Sequence, residues 1–483
     1  MGRRARFQFP AYYTYLSIDH LEMEKPKQVL VILPSLQSQT ILEEYSQGRY
    51  EYHWFTDPNA PVLEGTNNPK VTKTFEPLKF VDRAVRYVKE HSIDAILYFH
   101  DFSGFLGSII CEKTGLPGPS IESTFLCIHK YYSRKAEPSN LWFEAIELEK
   151  NNWQGCMKYP CYVKAPCLFL SMSLFVVQNE KEMELALASC KRELPAWNAL
   201  WKPLFEQYVD SQKYPLALKD TVIAEELVPD GTQHTVEGWV DDIGNFQVWM
   251  TSDEGYFMKP QKTLEGYFMP SQAPDPYIEQ MEYVALSVAR NHGLCSTFFN
   301  VEVWCRSGGK QITVTEINNR ISFSYHHLYS KVYNTSNFHA ALHLACGEYQ
   351  KVCELSPNKM QKNPLVGGLF FVQIHINRKH KASEVINFEA AKDLELQIPH
   401  DTAPYLFASH GPGIDLSVDE STLLQPLGTC GILVTTFNVF KPTFGEVLQI
   451  GEDVRNKLLK KKEVLPHERE VEYYNQCCGL SCS

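Results

Sequence analysis

Between residues 28 and 113 short apolar runs alternate with stretches of helical spacing, and this limits the fold more than any other feature of the chain. Gln28-Val-Leu-Val-Ile-Leu33 is an apolar run stopped by Pro34, the pattern of a buried strand. Tyr50–Phe55 is a second strand candidate. Leu78, Val81, Ala84, Val85 and Val88 then recur at helical spacing across Pro77–His91. Ile93–Phe99 reads as a third strand and Phe102–Lys113 as a helix, closed by the turn residues Gly115-Leu-Pro-Gly-Pro119. Strands joined through helices predict a parallel, doubly wound α/β unit over roughly residues 25–120. No GxGxxG follows the first strand and no GxxxxGK[ST] occurs, so neither a dinucleotide fingerprint nor a P-loop is present.

Downstream, Ser123–Arg134 reads as one helical stretch containing His129-Lys130 and Arg134. Tyr159–Pro166 places Lys164 on a strand-like segment, and Glu180–Glu193 reads as a helix. Thr221–Val228 is a strand, with Pro229-Asp-Gly231 as a turn and Gln233–Val240 as its expected hairpin partner. Helices follow over Asp275–His292 and about 335–350. Gly367–His375 opens a β-rich C-terminal part, in which Gly411-Pro-Gly413 reads as a turn and Phe444–Leu459 as the closing helix. Lys460-Lys-Lys462 is a solvated helix end of favourable dipole sign.

The stretch richest in chemistry is Phe299–Trp304 followed by Ile312–Arg320. Val301 and Val303, then Ile312 and Val314, alternate with other residues, and Ser307-Gly-Gly309 is a turn signal, so the two halves predict a hairpin. It carries Glu302 on one strand and Glu316, Asn318 and Arg320 at the end of the other. Two carboxylates and an amide oxygen are hard ligands of the kind Mg²⁺ takes beside phosphate, and an arginine nearby suits an anionic reacting group. A surface hairpin with solvated charges has the same spacing, so residue pattern alone leaves both readings open.

A chain of 483 residues allows two to four domains, and 44% hydrophobic with 21% charged residues is the composition of a globular protein. A formal charge of −11 argues against nucleic acid or an anionic membrane as the main partner. No apolar run approaches the roughly 18 residues that span a bilayer. Met1-Gly-Arg-Arg-Ala-Arg6 lacks both the apolar core of a signal peptide and the Ser or Thr of a myristoylation site. The fourteen cysteines include no CxxC pair and read as reduced thiols of a cytoplasmic protein. Cys477, Cys478 and Cys482 fit no CaaX box and read as free thiols on a tail.

Taken in order, an α/β unit, Lys130, Lys164 in a Pro-x-x-Val-Lys strand and the Glu302…Glu316-Ile-Asn-x-Arg320 hairpin resemble the ATP-grasp superfamily, in particular its carboxylate–amine ligases such as biotin carboxylase and D-alanine–D-alanine ligase. The resemblance implies an α/β (α+β) ATP-grasp fold with an N-terminal domain at 1–120 and an ATP-grasp domain at 121–350. That domain would have a small lobe near 155–240 and a large lobe near 241–350, ahead of a β-rich region at 351–483. Carried over residue by residue, it assigns Lys130 and Lys164 to ATP phosphates and Glu225, Glu226, Leu227 and Val228 to an adenine-reading hinge. Gln233 falls on the ribose hydroxyls, where the family usually has a glutamate. Glu302, Glu316 and Asn318 would hold Mg²⁺ (or Mn²⁺), and Arg320 would stabilise the reacting acyl phosphate or tetrahedral intermediate. Arg134 and Lys135 are near enough to stand in for Lys130.

The implied activity is ATP-dependent ligation of a small-molecule carboxylate to an amine, with oligomeric state left open. A nucleotide- or metabolite-binding relative without turnover is the alternative. The sequence departs from the family in two places. Ala165–Leu174 has no glycine where a Gly-rich phosphate loop belongs, leaving Ser171 and Ser173 as hydroxyl donors. Ile321–His327 replaces the glycines that often follow the arginine. Asp101 reads as a helix N-cap or a substrate contact, and His326-His327 as structural residues.

Overall fold

The computed structural model describes residues 25–46, 48–60, 74–137, 141–150, 153, 157–168, 173–228, 231–255, 266–306, 309, 311–360, 363–376, 380–390, 415–416, 432–460 and 463–464. The expected tail thiols, the Gly411–Gly413 turn, Ser171 and much of the 307–310 turn lie outside them.

The N-terminal unit is a three-stranded parallel sheet built from β1 (Lys27–Ile32), α1 (Leu36–Tyr45), β2 (Tyr50–Phe55), α2 (Pro77–Glu90), β3 (Ala95–Leu97) and α3 (Asp101–Thr114). The strand order is β2-β1-β3, with β1 central. Val29, Leu30, Val31 and Ile32 are fully buried because both faces of a parallel sheet are covered. The helical stretch expected over Ser123–Arg134 is two helices, α4 (Ile121–Ile128) and α5 (Lys130–Ala136). They part at His129, whose extended backbone turns the chain so that the Lys130 N–H donates to the Pro166 carbonyl at 2.9 Å.

The small lobe is an antiparallel sheet of β4 (Phe143–Glu147), β5 (Cys161–Lys164), β6 (Leu174–Val177) and β7 (Thr221–Glu226), in the order β4-β7-β5-β6. Between β6 and β7 runs α6 (Glu180–Tyr208), which continues well past the expected end at Glu193 and through Pro195 and Pro203. An interior proline costs a helix about 3 kcal/mol. Here Leu194, Trp197, Leu200, Trp201, Leu204 and Phe205 keep the helical spacing and are all buried, which offsets that cost. Trp201 packs edge-on to Phe102 and Phe105 of α3, so α6 locks the small lobe to the N-terminal unit.

The large lobe contains β8 (Thr232–Val240), β9 (Phe246–Gly255), β10 (Gly266–Met269), α7 (Asp275–Asn291), β11 (Thr297–Arg306), β12 (Gln311–Asn318), α8 (His326–Tyr333) and α9 (Asn337–Ala345). Its sheet has eight strands in the order β12-β11-β8-β9-β10-β13, continued by Ile432–Lys441, where β13 is Val366–Ile376; Glu463–Val464 pairs with β13 off this path. The expected hairpin between Thr221–Val228 and Gln233–Val240 does not form. β7 lies between β4 and β5 and β8 between β11 and β9, so each already has both neighbours, in different sheets. The chain crosses from the four-stranded to the eight-stranded sheet between Glu226 and Thr232, and strands on both sides of residue 350 share the latter. Among the described residues no helix is long and apolar enough to cross a membrane.

β8 is irregular between Glu237 and Gly238, and β11 packs against it there. A Cβ at Gly238 would strike the Phe299 ring and come within 2.6 Å of the Gln247 carbonyl oxygen. Gly238→Ala is therefore expected to cost about 2 kcal/mol, the scale of overpacking a rigid core, read as a lowered melting temperature in a thermal-unfolding scan. An unchanged melting temperature would contradict this packing.

Candidate functional site

Residues opposite one another in an antiparallel ladder point to the same face. On β12 and β11, Glu316 pairs with Glu302 and Asn318 with Asn300, beside a register shift after Glu302. On β11 and β8, Glu302 faces Thr235 and Asn300 faces Glu237; on β8 and β9, Gln233 faces Glu254. The expected hairpin thus exists, and its acids belong to a polar row running across four strands. The other face is apolar: Val236, Val301, Val303 and Ile317 pack on Met281, Ala285 and Val288 of α7. Alternation along each strand divides the two faces, and α7 drives the polar row toward the small lobe.

The acids repel one another. Burial and then the charge of Glu316 push the Glu302 carboxyl up to about 7, although Arg320, Lys130 and Lys164 pull it down. Burial and the charge of Glu302 also raise Glu254 well above its ordinary value. Glu254 accepts from the Thr235 hydroxyl at 2.7 Å, and Gln233 Nε2 donates to Glu302 Oε2 at 3.3 Å. Glu237, pushed up to about 7 by burial, accepts from the Ser322 backbone N–H at 2.5 Å and from the Tyr329 hydroxyl.

Each cation expected at the site is held by a carboxylate or carbonyl. Lys130 Nζ donates to Leu168 O at 2.6 Å and lies 3.4 Å from Glu316 Oε1. Its two suggested substitutes do other work. Arg134 is buried, bonded to Glu225 at 3.0 Å, to Glu137 at 2.9 Å and to the Thr315 carbonyl, while the Lys135 ammonium sits over the Tyr131 ring. Lys164 ion-pairs with Glu225. Burial raises the Glu225 carboxyl, but Arg134 and Lys164 outweigh it and hold it down at about 2. The Glu225 side chain is thus committed to this buried cluster. Glu226 is exposed, and its carboxylate accepts from the Trp142 N–H at 3.2 Å; Leu227 and Val228 follow, both buried.

Arg320 lies two residues beyond Asn318, whose amide donates to Asn300 at 3.4 Å. Its Nε and Nη2 both donate to Asp101, each at 3.1 Å. The helix-capping reading of Asp101 is corrected: His100 is the N-cap of α3, its ring accepting from the Ser103 N–H at 3.1 Å, and Asp101 is the first helical residue. Ser173 is not a free hydroxyl donor either, since it donates to Glu193 of α6 at 2.5 Å. His326 bonds Ser336 at 3.2 Å and packs on Phe338, as a structural residue would. Sequence reading missed Glu237 and Glu254. Their signal was alternation with Gln233 and Thr235 along β8 and its partner β9.

The arrangement sets hard carboxylate oxygens beside lysine and arginine cations, the donor chemistry of a divalent cation and a polyphosphate. Among the described residues no three His, Cys, Asp or Glu side chains form a closed metal cage. Mg²⁺ usually takes one or two carboxylates and fills its shell with water and phosphate oxygens, which suits the Glu302–Glu316 pair. A cation there would also relieve the repulsion that raises Glu302.

Residues 157–324 match the family model described as the ATP-grasp domain. Among solved structures, the L-amino acid ligase from Bacillus licheniformis superposes with a TM-score of 0.63 at 14% identity, covering 91% of this chain and all (100%) of that one. The carboxyaminoimidazole ribonucleotide synthase from Aspergillus clavatus complexed with ATP gives 0.59 at 15%, covering 90% and 99%. The phosphoribosylglycinamide synthetase from Anaerococcus prevotii gives 0.53 at 16%, covering 91% and 100%. At such identities the likeness establishes the fold. No curated protein sequence matches.

A carboxyl with a raised folded pKa supports folding most below its ordinary value near 4.5, and that support is lost as pH climbs toward 7. Glu302→Gln removes this loss. Its melting temperature relative to that of the wild type should therefore be higher at pH 8 than at pH 4. Parallel pH profiles for the two proteins would contradict the electrostatics.

Proposed function

We propose that this chain, which contains an ATP-grasp domain, is an ATP- and Mg²⁺-dependent ligase that joins a carboxylate to an amine through an acyl phosphate. The observation that carries this reading is the cross-strand Glu302–Glu316 pair, with Lys130 against Glu316 and Arg320 two residues past Asn318. When bound, Mg²⁺ would supply charge neutralisation for the phosphates. Glu302, Glu316 and the Asn318 amide are the residues that would hold it. Lys130 and Lys164 would exchange their carboxylate partners for phosphate oxygens, and Glu225 would keep the compensating charge of Arg134. Leu227 and Val228 would contact the adenine and Gln233 the ribose.

In the first step the substrate carboxylate attacks the γ-phosphorus and ADP leaves. In the second the amine attacks the acyl carbon and phosphate leaves. Arg320 would stabilise the oxyanion of both, a catalysis of positioning and electrostatics. Closure of the small lobe over the large would exclude water from the acyl phosphate. Small amino-acid-like substrates fit the company of the L-amino acid ligase fold. A cytoplasmic site of action fits described cysteines that are all free thiols.

A second reading is binding without turnover. It is favoured by the glycine-free segment after Lys164, where Ser173 is tied to Glu193. One assay separates the two. Purified protein with Mg·ATP and pooled amino acids and carboxylates should release phosphate, and Glu316→Gln should lower the rate about a hundredfold or more, the scale of losing electrostatic stabilisation. A melting temperature raised by Mg·ATP, with no pool giving turnover above that variant, would favour the binding reading. No rise with Mg·ATP would remove the basis of both.

A further inference from the structure

The N-terminal unit bonds Arg320 directly through Asp101, whose carboxylate takes two hydrogen bonds from it across 219 positions of sequence. Both residues are largely buried. Burial raises the Asp101 carboxyl and Arg320 more than reverses this, so the pair is charged on both sides. The main chain around Arg320 is fixed without Asp101. Asn319 donates to Thr124 of α4 at 3.1 Å, and its carbonyl accepts from Thr297 at 3.2 Å. Ser322 is pinned by Glu237, and its carbonyl accepts from Asn337 at 2.9 Å. Among the described residues, only the direction of the guanidinium depends on Asp101 and on the Ile321 carbonyl, which accepts from Nη1 at 3.3 Å.

A guanidinium has five N–H donors. Nε–H and one Nη2–H go to Asp101, and one Nη1–H goes to Ile321 O. One donor remains on each Nη atom, and Nη1 and Nη2 together form the end edge of the group, the edge that matches two oxygens of a phosphoryl or carboxylate group. Helix α3 does not need Asp101 as its cap, because its capping box is closed by His100 and Ser103, and the helix dipole favours an acid in the first turn without requiring a partner for it. Burying the acid of a helix first turn against a distant arginine serves the arginine.

We propose that Asp101 is a positioning residue: it occupies the side edge of the Arg320 guanidinium and presents the end fork to the transferring phosphoryl group, so the N-terminal unit is part of the reacting centre. The proposal rests on the ATP-dependent reading, and its test does not require the substrates. Orthovanadate with Mg·ADP mimics a phosphoryl group in transfer. Mg·ADP alone is expected to raise the melting temperature of the wild type, and orthovanadate to raise it further.

Asp101→Asn is close to isosteric and still accepts one hydrogen bond. It should keep the Mg·ADP shift, which also certifies its fold, and need about tenfold or more orthovanadate for the second shift, the scale of a charged hydrogen bond. Arg320→Lys, which has no planar fork, should keep the first shift and lose the second, and the double variant should lose no more than Arg320→Lys alone. An orthovanadate response in Asp101→Asn equal to the wild type overturns the proposal. So does a response in Arg320→Lys equal to the wild type, which settles the matter if Asp101→Asn fails to fold. Absence of the orthovanadate shift in the wild type, with the Mg·ADP shift present, overturns the fork alone. Absence of both overturns the ATP-dependent reading beneath it.

Discussion

Everything distinctive in this structure answers to one electrostatic constraint: Glu302 and Glu316 are held opposite each other on adjacent strands, on a face shared with Glu254 and Glu237. Like charges at cross-strand distance destabilise a sheet. Burial and the pairing raise the pKa of Glu302, and Lys130 and Lys164 from two other segments, with Arg320 from the end of the hairpin itself, pull it down. Such a face is stable without a ligand only through compromise. On the proposed function, a divalent cation with a polyphosphate would supply the balancing charges.

Each of these cations is paired in the structure. Lys164 shares Glu225 with Arg134, so a carboxylate released by the lysine is still neutralised from the other side. Lys130 opens α5 and bonds the Leu168 carbonyl, which ties the start of the glycine-free segment to the large lobe through Glu316. Helix α6 joins the small lobe to the N-terminal unit through Trp201. Three units therefore meet at the polar face, and each contributes a charge to it.

Much of this was legible in the sequence. Local periodicity was enough for the parallel N-terminal sheet and for the Glu302–Glu316 hairpin, since an alternating strand declares its face without tertiary information. What escaped depends on partners distant in sequence. The prolines of α6 argue for a helix end until Trp197, Trp201 and Phe205 are seen buried against α3 and its neighbours. The strands at 221–226 and 232–240 look like a hairpin because nothing local says that each has other neighbours. Asp101 resembles a cap because its partner lies on the far side of the chain. Glu225 was expected at an adenine hinge read mostly through backbone groups, and the role its side chain takes beside that, as the anchor of Lys164 and Arg134, has no local signal.

The central claim is that the paired carboxylates make nucleotide binding depend on a divalent cation. Calorimetric titration of ATP into the protein, with excess Mg²⁺ and again with EDTA, measures this directly, repeated on Glu302→Gln/Glu316→Gln. The account predicts saturable binding with Mg²⁺, much weaker binding in EDTA, and little difference between the two conditions in the double variant. Equal affinity with and without Mg²⁺ in the wild type, or a double variant that keeps the full Mg²⁺ dependence, would contradict it.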